Sequence, residues 1–269
     1  MSVRACLCGT PGESERCRLT ARQQFRRRRA AYAMPSSPSD QKFIAFLISI
    51  SGVGKTDLVL ELACGNGNTA IAFAERCGRA IGVDVLEEPI QAAQTTAAER
   101  QIRNVDFIVS EVEQLSFGAG TFDGAVCRFS FHHFVNPARV FSELARVVAP
   151  GGWMVIADMV ASEDPAKAEL HNQMERLCDP THSRTLPISE FERMFAEHGF
   201  RVAMKVGRDA RLTLEDWIRI GGASLENAGR LRQMAAEAID RDGAGLKFTR
   251  EADQIRLVHN SMNFVLEKD

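Results

Sequence analysis

The segment Glu61-Leu-Ala-Cys-Gly65-Asn-Gly67-Asn-Thr-Ala70 joins an acid, two closely spaced glycines and the start of a helical pattern. Glycine lets the backbone approach a ligand closely, and a helix N-terminus beside it presents unpaired amides and a partial positive charge. Seventeen residues past Gly67, Asp84 closes an apolar run, where a carboxylate can accept hydrogen bonds from both hydroxyls of a ribose. The spacing Gly65-x-Gly67-x-x-Ala70 also satisfies the dinucleotide fingerprint, so the loop alone leaves the nucleotide open, and a tight strand-to-helix turn remains the bland reading. Glu61 narrows the choice. A carboxylate at the tip of the first strand repels a pyrophosphate and favours an ammonium, unless it is only a solvated strand-end acid.

His132 and His133 are the only adjacent histidines in the chain. Imidazole suits proton removal at neutral pH, and either ring could equally brace its loop through hydrogen bonds. Phe129 and Phe131 offer faces to a cation or serve as packing. Arg26–Arg29 is the one basic run, either reaching an anionic substrate or forming a solvated helix face. Ser51-Gly-Val-Gly-Lys-Thr56 ends like a phosphate-binding loop but has Ser49 where that loop needs glycine, and a strand rather than a helix follows the lysine. Cys6, Cys8 and Cys17 lack a fourth ligand at zinc-finger spacing, and no acidic metal cluster is evident, so no metal site is expected.

These residues need a scaffold. From Asp57 onward, apolar runs of strand length at Leu58–Ala63, Ala80–Val85, Val105–Val109, Phe122–Cys127 and Trp153–Met159 alternate with helical patterns, as in a parallel sheet buried on both faces. Between the last two, Asn136 and Pro137 occupy N-cap and N1, and Val140, Phe141, Leu144, Val147 and Val148 line one helical face. Pro150-Gly151-Gly152 ends that helix. Helices are expected at 18–33, 40–50, 165–178 and 189–198, the last opened by a capping box from Ser189 to Glu192, and a strand at Phe200–Val206 follows. Residues 213–241 read as helix interrupted by Gly221-Gly222. Arg256–Leu266 reads as a final strand lying antiparallel at or near the sheet edge.

A length of 269 residues suits one large domain with a subdomain, and 45% hydrophobic and 25% charged residues are ordinary for a globular enzyme. A net charge of −2 gives no global attraction to nucleic acid or anionic membrane. No apolar run is long enough to span a bilayer, and seven scattered cysteines suit a reducing compartment, so a cytoplasmic protein is expected.

Residues 57–160 resemble a class I S-adenosylmethionine-dependent methyltransferase of the broad ubiquinone/menaquinone-methylase-like (type 11) superfamily. The resemblance lies in Glu61-Leu-Ala-Cys-Gly-Asn-Gly67, Gly82-Val-Asp84, Ser110-Glu111-Val-Glu-Gln-Leu-Ser-Phe117, Thr121-Phe-Asp123, Phe131-His-His-Phe134 and Arg146-Val-Val-Ala-Pro-Gly-Gly152. It implies an α/β fold with a doubly wound, mostly parallel seven-stranded sheet and a helical lid. It implies a cofactor site at Glu61, Ala63, Gly65, Gly67, Asp84, Val85, Glu111, Val112 and Arg128. In that site Gly65 and Gly67 pass beneath S-adenosylmethionine, Asp84 holds the ribose, Glu111 and Val112 meet the adenine, and Arg128 contributes backbone contacts near the methionine end. The family more often has aspartate where Glu61 and Glu111 stand, which changes the reach of both carboxylates.

The same resemblance favours His133 over His132 in the catalytic pocket and puts Tyr32 in the cap; with it, Phe129 beside the sulfonium and His182 and Trp217 in the lid segments are substrate candidates or else ordinary packing residues. Phe25–Tyr32 resembles an N-terminal cap helix, and Asp179-Pro-Thr-His182 a segment after the fifth strand. The implied organisation is a disordered leader at 1–17, lid helices at 18–56, a cofactor core at 57–160, and at 161–269 the rest of the sheet with substrate-lid insertions. The expected activity is direct, in-line methyl transfer to a small-molecule acceptor by a monomer or homodimer, without nucleic-acid or membrane partners. The extra signatures of the quinone methylases are absent, so a quinone acceptor is not implied. Three other readings stay open. A non-methylating S-adenosylmethionine-binding protein would share every motif, an NAD-dependent dehydrogenase only the glycine loop and Asp84, and a nucleic-acid methyltransferase would require a basic face.

Overall fold

The computed structural model describes residues 38–239 and 241–269. The leader, its three cysteines, Phe25, Arg26–Arg29 and Tyr32 lie outside the described residues.

Eight strands form one sheet: β1 (Leu58–Leu62), β2 (Arg79–Asp84), β3 (Val105–Val109), β4 (Phe122–Arg128), β5 (Val148–Met159), β6 (Phe200–Thr213), β7 (Thr249–Glu251) and β8 (Gln254–Lys268). The order is β3-β2-β1-β4-β5-β8-β6, with β7 pairing only with β8. The first five strands run parallel, and β8 lies antiparallel to both β5 and β6. Chain order reverses between β1 and β4, the position where open α/β sheets leave a crevice at their strand tips.

Side-chain alternation on the strands builds two cores. On one face, Val59, Ala80, Phe107, Val126 and Val155 pack under helices α1 (Pro38–Ser51), α2 (Asn68–Ala74) and α3 (Glu87–Glu99). On the other, Leu60, Val83, Ala125, Met154 and Phe264 pack under α4 (Pro137–Val147) and α6 (Ile188–Glu197). A third cluster joins α5 (Pro165–Cys178), α7 (Leu214–Gly221) and α8 (Leu225–Ala238) through Met174, Leu214, Trp217, Leu231, Leu246 and Leu257.

The sheet therefore has one strand more than the expected seven, because β7 turns back onto β8 as a short hairpin. The final strand lies antiparallel near the sheet edge, as expected. It sits one place in, with β6 outside it, and both strands extend well beyond their apolar cores because they pair with each other from Phe200 to Thr213. β5 begins before the Pro-Gly-Gly turn, with a register shift opposite Phe122 and Gly124. Asn136 caps α4 as expected, its side chain accepting from the Arg139 amide. The Ser189 capping box does not form: α6 starts after Pro187, and the amide and hydroxyl of Ser189 both donate to Glu163 instead. Among the described residues the four cysteines are buried, and no helix is long and apolar enough to cross a membrane.

Candidate active site

The tips of β1, β2 and β4 bring the sequence-predicted groups together. Asp84 closes β2, its Oδ2 accepting from the Gly65 amide at 3.0 Å and its Oδ1 from the Leu86 amide at 2.9 Å. Each oxygen retains a lone pair for a ligand hydroxyl. Burial raises the Asp84 pKa, and the backbone amides oppose that rise. Gly65 sits at φ 52 with nothing within 4 Å of where its side chain would be, an open shoulder beside the carboxylate. Gly67 differs: at φ 77, an added Cβ would fall 2.6 Å from the Phe107 ring and 2.8 Å from the Ala93 Cβ, so packing of α3 and β3 also demands glycine there.

Glu61 is 4% exposed, and its Oε2 accepts from the Ala70 amide in the first turn of α2 at 2.7 Å. Burial lifts its pKa to about 7, against the opposing pull of Arg128 and the Ala70 amide. The Arg128 guanidinium is itself anchored, to Thr69 Oγ1 at 3.0 Å and Asp40 Oδ1 at 2.6 Å, tying α1 to the strand tips. Sequence reasoning placed only backbone contacts at Arg128. Its side chain is the counter-charge to Glu61, a role visible only once α1 docks.

Two non-glycine residues at these tips adopt left-handed backbone, Ala63 at φ 49 and Phe129 at φ 52. Such conformations cost about 1–2 kcal/mol each and persist only where surroundings enforce them. Here the Phe129 amide donates to the Ala157 carbonyl at 2.7 Å, and the amides of Ser130 and Phe131 both donate to Asp158 Oδ2. The Phe129 ring stacks on Phe43 at 5.5 Å, so packing occupies it.

Asp158 explains His132. The two side chains meet at 2.6 Å, His132 Nδ1 to Asp158 Oδ1, with Asp158 1% and His132 9% exposed. Burial depresses the His132 pKa, but the charge and hydrogen bond of Asp158 overcome it and leave the value raised. Burial likewise acts to raise Asp158, and the His132 charge leaves it lowered. The pair is a brace that holds the 3-10 turn Phe131–His133 on β5. The His132 carbonyl also accepts from the Ser183 and Arg184 amides, which pins the segment after α5 over the same turn.

His133 lies beside this brace, ring centroids 4.1 Å apart, with its Nδ1 3.1 Å from the Thr181 carbonyl. A ring nitrogen facing a carbonyl carries the hydrogen, which leaves Nε2 with the lone pair. Burial and the neighbouring His132 charge lower its pKa to about 4. His182 stacks on His132 at 5.6 Å and is held by Asn172 Oδ1 at 2.8 Å. Burial lowers its pKa to about 3. Trp217 is 3% exposed, within the third core and edge-on to His259. Val85, Glu111 and Val112 lie at the β2 and β3 tips, all half-buried, and Val112 packs against the core under α4 and α6.

Residues 60–156 match a family model described as a methyltransferase domain. The chain is 34% identical over 168 residues to the uncharacterized methyltransferase YcgJ of Bacillus subtilis strain 168, covering 62% of this chain and 66% of that protein. It is 29% identical over 129 residues to the ubiquinone/menaquinone biosynthesis C-methyltransferase UbiE of Hydrogenovibrio crunogenus, 46% of this chain and 51% of UbiE. These alignments span less than two thirds of each relative. The solved structure of YcgJ superposes with a TM-score of 0.79 at 27% identity, over 85% of this chain and 98% of that one. The Bacillus halodurans C-125 protein BH2331 gives 0.80 at 25% identity, over 84% and 99%.

Proposed function

We propose that this chain, whose residues 60–156 match a methyltransferase-domain model, transfers the methyl group of S-adenosylmethionine directly to a small-molecule acceptor. The observation that carries this reading is the open shoulder at Gly65, set between the carboxylates of Asp84 and Glu61 at the point where the sheet order reverses. A nucleoside fits the shoulder, a ribose fits the free lone pairs of Asp84, and an amino-acid ammonium complements Glu61. A pyrophosphate in that place would face a buried acid. The proposed cofactor set is Glu61, Ala63, Gly65, Gly67, Asp84, Val85, Glu111, Val112 and Arg128.

When bound, S-adenosylmethionine supplies a methyl carbon on a positively charged sulfur, open to displacement by an acceptor lone pair. The chain's own part is to orient the acceptor and keep water out. His133 presents Nε2 as a hydrogen-bond acceptor, held in that tautomer by Thr181. With a pKa of about 4, storing a proton there at pH 7 would cost about 4 kcal/mol, so His133 positions the acceptor's hydrogen rather than keeping it. His132 acts through the loop it braces. His182, held to α5 by Asn172, stays a substrate candidate above the His132–His133 turn, and Phe129 and Trp217 act as packing. The lid comprises α1 and residues 161–250 outside β6. A cytoplasmic setting and a partner list limited to small molecules accord with the near-neutral charge.

The test measures S-adenosylhomocysteine release with labelled donor and a panel of phenol, carboxylic acid, amine and enol acceptors. Release with one acceptor class supports the reading. Binding of the donor with no release from any class points to a non-methylating binder.

A further inference from the structure

A second polar cluster lies apart from the strand tips. His171 and Glu175 stand one turn apart on α5, and His259 reaches them from β8. They are 2%, 4% and 9% exposed in a region otherwise packed with Met174, Trp217, Leu231 and Leu257. The Nε2 atoms of both histidines lie 3.2 Å from the same oxygen, Glu175 Oε1. All three donor atoms fall within 4.8 Å of one another.

Hydrogen bonding accounts for one of the two histidines, His171 Nε2 meeting Glu175 Oε1 at 3.2 Å, and leaves the other unmatched. Nε2 of His259 is fully buried and, despite its nearness to Glu175, makes no hydrogen bond of acceptable geometry. Buried polar nitrogens are rarely left unmatched, because an unmet hydrogen bond costs on the order of 1–3 kcal/mol. A metal ion resolves the mismatch. Two imidazole nitrogens and one carboxylate oxygen form the ligand set of zinc sites that keep a fourth position open, and of non-haem iron sites. Metal–ligand bonds of about 2.0–2.1 Å place neighbouring ligands of a tetrahedral ion ~3.4 Å apart and of an octahedral ion ~3.0 Å apart. The two 3.2 Å separations sit between these values. Ligands one helical turn apart point to one side of the helix, as in other helix-borne zinc sites.

We infer that His171, Glu175 and His259 bind one divalent transition-metal ion of the zinc type, which staples the helix α5 to strand β8. None of the three ligands is marked by a local pattern, since His259 lies on a strand far downstream of the helix it meets. The staple joins the segment roofing His132 and His133 to the sheet beneath it, so the ion would set the position of the lid without touching the strand-tip site.

The experiment uses full-length, untagged protein stripped with chelator. Calorimetric titration with Zn2+ should show one tight equivalent, and added Zn2+ should raise the melting midpoint by several degrees. Loading with Co2+ should give d–d absorption without a thiolate charge-transfer band, which separates this nitrogen and oxygen set from the leader cysteines. His171→Gln and Glu175→Gln, checked for native circular dichroism, should lose the equivalent, whereas the triple Cys6→Ser, Cys8→Ser, Cys17→Ser variant should keep it. No stoichiometric binding by the wild-type chain overturns the inference. A cobalt spectrum dominated by thiolate, or binding that follows the cysteines rather than His171, overturns it equally. Because the wild-type titration and spectrum need no variant, misfolding of a substitution cannot mask the answer.

Discussion

Glu61 makes donor binding depend on pH in a direction fixed by its surroundings. Burial raises its pKa from 4.5 to about 7, so below neutrality the free protein carries it mostly as the neutral acid. A cationic donor favours the carboxylate, and affinity must therefore fall as the pH drops through that value. At pH 5.5 only about one molecule in thirty has Glu61 ionised, against about half at pH 7. If the bound state needs the carboxylate, the donor binds about fifteenfold more weakly at pH 5.5, equivalent to ~1.6 kcal/mol. The donor's own α-amino group, with an ordinary pKa near 8, stays charged across that window. Near pH 6 each binding event should release roughly 0.9 proton, measurable by calorimetry in two buffers of different ionisation enthalpy. Glu61→Gln should flatten the profile. Equal affinity at pH 5.5 and 7, no proton release, or a slope that survives Glu61→Gln would rule out Glu61 as the group that meets the donor's ammonium.

Three further outcomes follow from the same geometry. Gly65→Ala should cost only ~1 kcal/mol of stability in chemical denaturation, from left-handed backbone, yet abolish donor binding. Gly67→Ala should cost about 3 kcal/mol because its Cβ meets Phe107 and Ala93; reversed behaviour of the two variants contradicts the assignment of the open shoulder. His132→Ala should destabilise the fold by about 3 kcal/mol near neutral pH by leaving Asp158 buried without its partner. That pair's contribution should be lost as pH rises through the raised His132 value and as it falls through the lowered Asp158 value, which melting midpoints against pH will show. His133→Gln should lower kcat by about 10²-fold through misplaced acceptor, with no inflection between pH 6 and 8 that belongs to His133. A wild-type kcat inflection near 6.5 that this substitution removes would instead make it a proton-storing base.

What could be read without coordinates was local. α4 announced itself through Asn136, Pro137 and an apolar stripe ended by Pro-Gly-Gly, each a signal within a few residues of the boundary it sets. The places of Glu61 in β1 and Asp84 at the end of β2 were legible because strand, turn and helix follow one another directly. The outer halves of β6 and β8 were not. Lys205, Arg208, Asp209 and Arg211 interrupt any apolar run, and the strand forms there because β8 supplies its backbone partners. The Ser189 pattern misled because Glu163, distant in sequence, takes the same hydroxyl. Partners of buried charges were hidden in the same way: Asp158 looks like one acid within the apolar strand β5, and nothing near it points to His132. The leaning of Arg128 on Asp40 likewise needs α1 in place.

Whether the β1 and β2 tips hold a sulfonium donor around Asp84 is decided by calorimetric titration of the folded chain with S-adenosylmethionine and with S-adenosylhomocysteine. One saturable equivalent of each is expected, weakened at least tenfold, ~1.4 kcal/mol, by Asp84→Ala, with Asp84→Asn losing less because it keeps one oxygen for the Gly65 or Leu86 amide. No heat with either compound from well-folded protein, alongside tight binding of NADH, would contradict that placement of the donor.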